Sequence, residues 1–67
     1  MLQITINGQP HHFDNPLSLQ QLLEQMSIQN KRIAVERNGE IVPRSQFTLQ
    51  TLSDGDQLEI VVAVGGG

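Results

Sequence analysis

Residues 54–67, DGDQLEIVVAVGGG, join an Asp54-Gly55 turn signal, a β-branched run beginning at Gln57, and the glycines Gly65, Gly66 and Gly67. Such a run suits a pleated, buried surface and reads as a central strand. Alternation places Leu58, Ile60, Val62 and Val64 on one face and Glu59, Val61 and Ala63 on the other. If the longer aliphatic set is the core, Val61 and Ala63 lie on the opposite face, beside the glycines. There they either dock a partner or are plain surface apolars, or are covered by the Phe47 loop.

Upstream, IAVER (33–37) and EIVP (40–43) flank Asn38-Gly39, a hairpin signal because both central positions of a type I′ turn take positive φ. Ile33 and Val35 share one face, with Ile41 expected across from them and Pro43 ending the strand. RSQFTLQTLS (44–53) has no clean period, although Phe47, Leu49 and Leu52 are candidates to anchor a loop or short helical turn. LQITIN alternates Leu2, Ile4 and Ile6 with polar residues, and Asn7-Gly8 turns it back into a strand through HHFD. Pro10, lacking an N–H, suits an edge strand or the start of one.

One helix is expected. In LSLQQLLEQM (17–26), Leu19, Leu22, Leu23 and Met26 recur at helical spacing as one apolar stripe. Ser18 is placed as the N-cap, Gln21 completes a capping box, and Leu17 is positioned to staple against Leu22. Asn30, Lys31 and Arg32 mark the expected exit. The order strand, strand, helix, strand, strand, loop, strand predicts an α+β fold: a mixed sheet of about five strands with the helix on the face carrying Leu2, Ile4 and Ile6. The first hairpin and the last strand are expected at its centre. The domain is placed at 1–64, with a flexible glycine tail at 65–67.

Composition narrows the function. The 67 residues make one domain, which buries only about 60% of the surface its unfolded chain exposes. Without cysteine there is no disulfide, thiolate metal site or thiol nucleophile. Two aromatics leave an aliphatic core. A net charge of −3, with Lys31, Arg32, Arg37 and Arg44 scattered, argues against nucleic acid, which requires clustered cations and stacking platforms. No apolar run reaches the roughly 18 residues of a membrane span, and no basic segment leads an apolar one. A soluble, cytosolic protein with no membrane partner is expected.

Candidate chemistry is sparse. His11 and His12 are adjacent on a strand, point to opposite faces and cannot readily chelate one ion. Asp54 and Asp56 flank a turn and supply too few oxygens for calcium. Glu36, Arg37, Glu40 and Arg44 read as a solvated hairpin face or a recognition surface. The glycines are more informative. Without Cβ atoms, residues 65–67 can thread a narrow channel, reach about 10 Å when extended, and bring a terminal carboxylate to another protein's catalytic groups.

The hairpin, the LSLQQLLEQM helix, IAVERNGEIVPRS (33–45), DGDQLEIV (54–61) and the AVGGG ending together resemble the ubiquitin-like β-grasp sulfur carriers, and among them those of thiamine biosynthesis. The resemblance spans the whole chain. It implies the β-grasp fold and a free C-terminal glycine pair, here Gly66 and Gly67 with Gly65 before it, ready for activation as written. It also implies that an adenylyltransferase consumes ATP to join Gly67 to AMP, and that a persulfide enzyme supplies sulfur. The resulting thiocarboxylate gives its sulfur to thiazole assembly by a thiazole synthase. The chain would then be a protein substrate rather than an enzyme, with no bound cofactor and no metal. Three alternatives remain: a molybdopterin synthase small subunit, which shares fold and tail; a modifier forming an isopeptide bond from Gly67; and a binding module with an inert tail.

Overall fold

The two Asn-Gly turns set the sheet. Asn7 and Gly8 have φ of 50° and 83°, and Asn38 and Gly39 have 52° and 88°, the doubly positive signature that matches the twist of a tight hairpin. In the computed structural model, which describes residues 1–63, they join β1 (Leu2–Ile6) to β2 (Gln9–Phe13) and β3 (Ile33–Arg37) to β4 (Glu40–Val42). Helix α1 (Leu19–Gln25) lies between the hairpins, and a 3₁₀ turn (Arg44–Gln46) precedes β5 (Gln57–Val62). Val64 and the glycines 65–67, and with them the expected tail, lie outside the described residues.

The sheet order is β2-β1-β5-β3-β4, with β1 and β5 parallel and the other neighbours antiparallel. This is the mixed five-stranded sheet with one helix on one face that defines the β-grasp. β5 is central, as its β-branched run suggests. β2 is not: it forms an edge, where Pro10 needs no ladder donor, and β3 takes the place beside β5.

The aliphatic core lies between sheet and helix. Ile4, Ile6, Val35, Leu58 and Ile60 from the sheet meet Leu19, Leu22 and Leu23 from α1, with Phe47 and Leu52 closing one side. Two expectations fail here. A two-residue loop pairs Arg37 with Glu40, so Val42 opposes Val35 and is buried, whereas Ile41 opposes Glu36 on the other face and is 77% exposed. Leu49 is exposed as well, because the turn after Arg44 points only Phe47 and Leu52 inward.

Helix α1 begins as its sequence indicates. The Ser18 hydroxyl accepts from the Gln21 N–H at 3.1 Å, and the Gln21 side chain accepts from the Ser18 N–H at 2.8 Å. Leu17 and Leu22 are both buried in the core, as a staple requires. The aperiodic 44–53 segment supplies the remaining caps: the Leu19 and Gln20 N–H groups donate to the carbonyls of Gln50 and Phe47, each at 2.9 Å.

The exit comes earlier than Asn30. Ser27 takes φ 61°, its N–H donates to the Glu24 carbonyl, and the Ile28 N–H donates to the Leu23 carbonyl, which together make a Schellman ending. Met26 is therefore the C-cap, 37% exposed, rather than the last member of the buried stripe.

Candidate functional site at the end of β5

β5 carries the chain toward its C-terminus, and both turn asparagines brace it. Near its start, the Asn38 N–H donates to the Gln57 carbonyl at 2.8 Å while the Asn38 side-chain oxygen accepts from the Gln57 N–H at 2.9 Å. Farther along, β1 has already turned away. There the Asn7 side chain continues the ladder, donating to the Ile60 carbonyl at 3.0 Å and accepting from the Ile60 N–H at 2.8 Å. On the other side, β3 pairs Ile33 with Val62, and the Ala63 N–H donates to the Arg32 carbonyl at 2.8 Å. Backbone order on that side thus reaches the last described residue.

A polar cluster locks the opposite end of β5. Asp56 is 6% exposed and accepts from the Arg37 guanidinium, the Asn38 amide and the Ser53 N–H, with the Arg37 ion pair at 2.8 Å. Burial pushes the Asp56 carboxyl up. The Ser53 N–H, the Asn38 amide and the Arg37 charge together outweigh burial and hold it below the usual carboxylate range. Arg37 also donates to Gln50 and to the Thr51 carbonyl.

Arg37 is therefore a clasp between the second hairpin and the β5 approach, not part of a solvated face. Arg44 is engaged too, donating to the Lys31 carbonyl at 2.9 Å and lying over the Phe47 ring. Asp54 accepts from the Gln3 N–H at 2.7 Å, and Gly55, at φ 90°, completes the turn that Asp54-Gly55 indicates.

The sheet face away from α1 is uncovered. Val61, 62% exposed, pairs with Ala34, and exposed Ala63 continues the same row. The Phe47 loop does not cover them, since Phe47 is buried in the core on the helix side. Next along the face, Glu59 pairs directly with Glu36, which in turn opposes Ile41. Ile41 and the two glutamates were not apparent as neighbours of Val61. The two-residue Asn38-Gly39 loop contains that information, because it fixes the register of β3 on β4.

The other candidates lie elsewhere. His11 opposes Ile4 and His12 opposes Gln3, so the two imidazoles lie on different faces. Among the described residues no group of three or more His, Cys, Asp or Glu is placed to hold a metal ion, and no helix is long and apolar enough to cross a membrane. A groove of about 610 Å³ runs beside Phe13, Leu17 and Gln21, where β2 leads into α1. That is the Leu2 end of the sheet, since Phe13 opposes Leu2, whereas β5 runs parallel to β1 and ends beyond the Gly8 turn.

Residues 4–67 match the ThiS family. A thiazole synthase of Paramagnetospirillum magneticum is 39% identical over 66 residues, which is 98% of this chain and 20% of that protein. The chain thus spans about a fifth of the length of the thiazole synthases it matches. The sulfur carrier protein ThiS of Escherichia coli is 32% identical over 98% of this chain and 100% of its own length. The crystal structure of the thiamine biosynthesis protein ThiS from Geobacter metallireducens superposes with a TM-score of 0.82 at 35% identity, covering 98% of this chain and 100% of that one.

Proposed function

The chain belongs to the ThiS family, and from that premise we propose that it is a sulfur carrier of thiamine biosynthesis whose Gly67 is adenylated, then converted to a thiocarboxylate. The observation that carries this reading is the reach of the family match, which runs from residue 4 through residue 67 and so includes the three glycines. The same match favours thiamine over molybdopterin chemistry.

The chemistry follows from the terminus. A carboxylate is a poor acyl donor because its leaving group would be oxide. Its oxygen attacks the α-phosphorus of ATP, pyrophosphate leaves, and the Gly67 carbonyl becomes electrophilic as an acyl adenylate. The terminal sulfur of a persulfide then displaces AMP, and a thiol cleaves the resulting S–S bond to leave the thiocarboxylate. The activating partner is an adenylyltransferase of the ThiF type, and the acceptor is a thiazole synthase of the ThiG type. Thiazole synthases that carry a segment similar to this chain support the second pairing.

This chain contributes presentation rather than catalysis. β5 pairs with β3 through Val62, and the Ala63 N–H donates to the Arg32 carbonyl, so the described chain is held as far as Ala63. Val61 and Ala63 form the first apolar surface that an enzyme receiving the tail meets. Gly65 and Gly66 give the reach, having no Cβ to obstruct a narrow channel. Gly66→Val tests this: AMP addition is lost while the thermal unfolding midpoint stays within a degree or so. Full-rate adenylation of that variant would contradict threading.

A further inference from the structure

The open sheet face places two carboxylates where a fold on its own gains nothing from them. Glu36 and Glu59 are exposed and directly opposed on the two adjacent strands β3 and β5. They form a hydrogen-bonded pair, since the flanking Asn38–Gln57 and Arg32–Ala63 bonds fix which residues face each other, so their Cα atoms are about 5.5 Å apart. Like charges in that relation destabilise a sheet.

Nearby cations do not relieve them. Arg37 is turned to Asp56, Gln50 and Thr51, and Arg44 to Lys31 and Phe47. Arg32, just before β3 and opposite Ala63, lies four residues from Glu36, roughly 13 Å away along the chain direction. Apolar side chains frame the pair, with Val61 beyond Glu59 and Ile41 opposite Glu36, both well exposed. The row then leads through Ala63 toward the tail.

We infer that the Glu36–Glu59 pair, framed by Val61 and Ile41, receives an arginine side chain from the enzyme that activates the tail. This rests on the sulfur-carrier reading. A guanidinium is planar and has five donors, so it can bridge two carboxylates at this spacing, and the aliphatic rim excludes water from the contact. The pair thus weakens the free domain slightly and strengthens the complex.

The test measures both sides of that trade in Glu36→Gln, Glu59→Gln and the double variant, with Glu40→Gln as control. Glu40 opposes Arg37 and so lies on the other face of the sheet. Thermal unfolding of the free domain should shift upward by roughly 1–5 °C in the double variant. With a ThiF-type adenylyltransferase, its KM for AMP addition should rise about tenfold with little change in kcat. Glu40→Gln should leave KM unchanged. If the wild type takes AMP and the double variant shows the same KM, the pair is only a solvated surface and the inference falls alone. A lowered unfolding midpoint overturns the premise of repulsion. If the wild type takes no AMP, the sulfur-carrier reading falls and this inference with it.

Discussion

Asp56 is the residue on which the approach to β5 depends most. Its carboxylate satisfies three donors at once, from Arg37, Asn38 and Ser53, while almost out of contact with water. Asp56→Asn keeps the shape and removes the charge, which should cost about 1–3 kcal/mol in urea unfolding at pH 7. The pH dependence has a definite sign. Because the folded carboxyl titrates below its unfolded value of 3.8, its contribution is present above that value and is lost as pH falls through the folded one. The stability difference between wild type and Asp56→Asn should therefore shrink below about pH 4. A gap of the same size at pH 2.5 and pH 7 would mean that the cluster acts through shape alone.

The ends of α1 matter more than its length, since a helix of seven residues has little cooperativity of its own. Ser18→Ala should cost about 1 kcal/mol. Ser27→Gly should stabilise by about 0.5–1 kcal/mol, because Ser27 holds a left-handed conformation that glycine adopts without a Cβ clash. Chemical denaturation of both variants checks the pair of signs; a destabilised Ser27→Gly would show that the serine side chain matters more than its backbone.

These ends also show what the sequence made legible. The start was readable because Ser18 and Gln21 form a local pattern. The exit was not, because the left-handed position carries serine instead of glycine, and the polar Asn30-Lys31-Arg32 group drew the boundary too late. The 44–53 segment has no period because its backbone serves the first turn of α1 and its Thr51 carbonyl accepts from Arg37. Neither partner is near it in sequence. For β4, the alternation was visible but not its phase, which follows from counting outward from the two-residue turn: 37 with 40, 36 with 41, 35 with 42. Arg37 looked like an ordinary surface charge because its partner, Asp56, lies nineteen positions away.

At the scale of the molecule, the fold separates holding from presenting. One sheet face packs on α1 and sets stability, and the other is open as far as Ala63. Val61→Asp tests that division. It should change stability by about 1 kcal/mol or less, given how exposed Val61 is, while raising the KM for adenylation about tenfold. Normal adenylation and sulfur transfer by a folded Val61→Asp would remove the docking role from this face. Val61 and Ala63 were legible from strand alternation, whereas the glutamates opposed beside them required the sheet register.

Intact mass after incubation with ATP, a ThiF-type adenylyltransferase and a persulfide donor tests whether Gly67 carries the sulfur, as proposed. The expected result is an added AMP, followed by exchange of one oxygen for sulfur, with fragmentation locating both at Gly67. An unmodified terminal carboxylate in the presence of an adenylyltransferase that activates another carrier would contradict it.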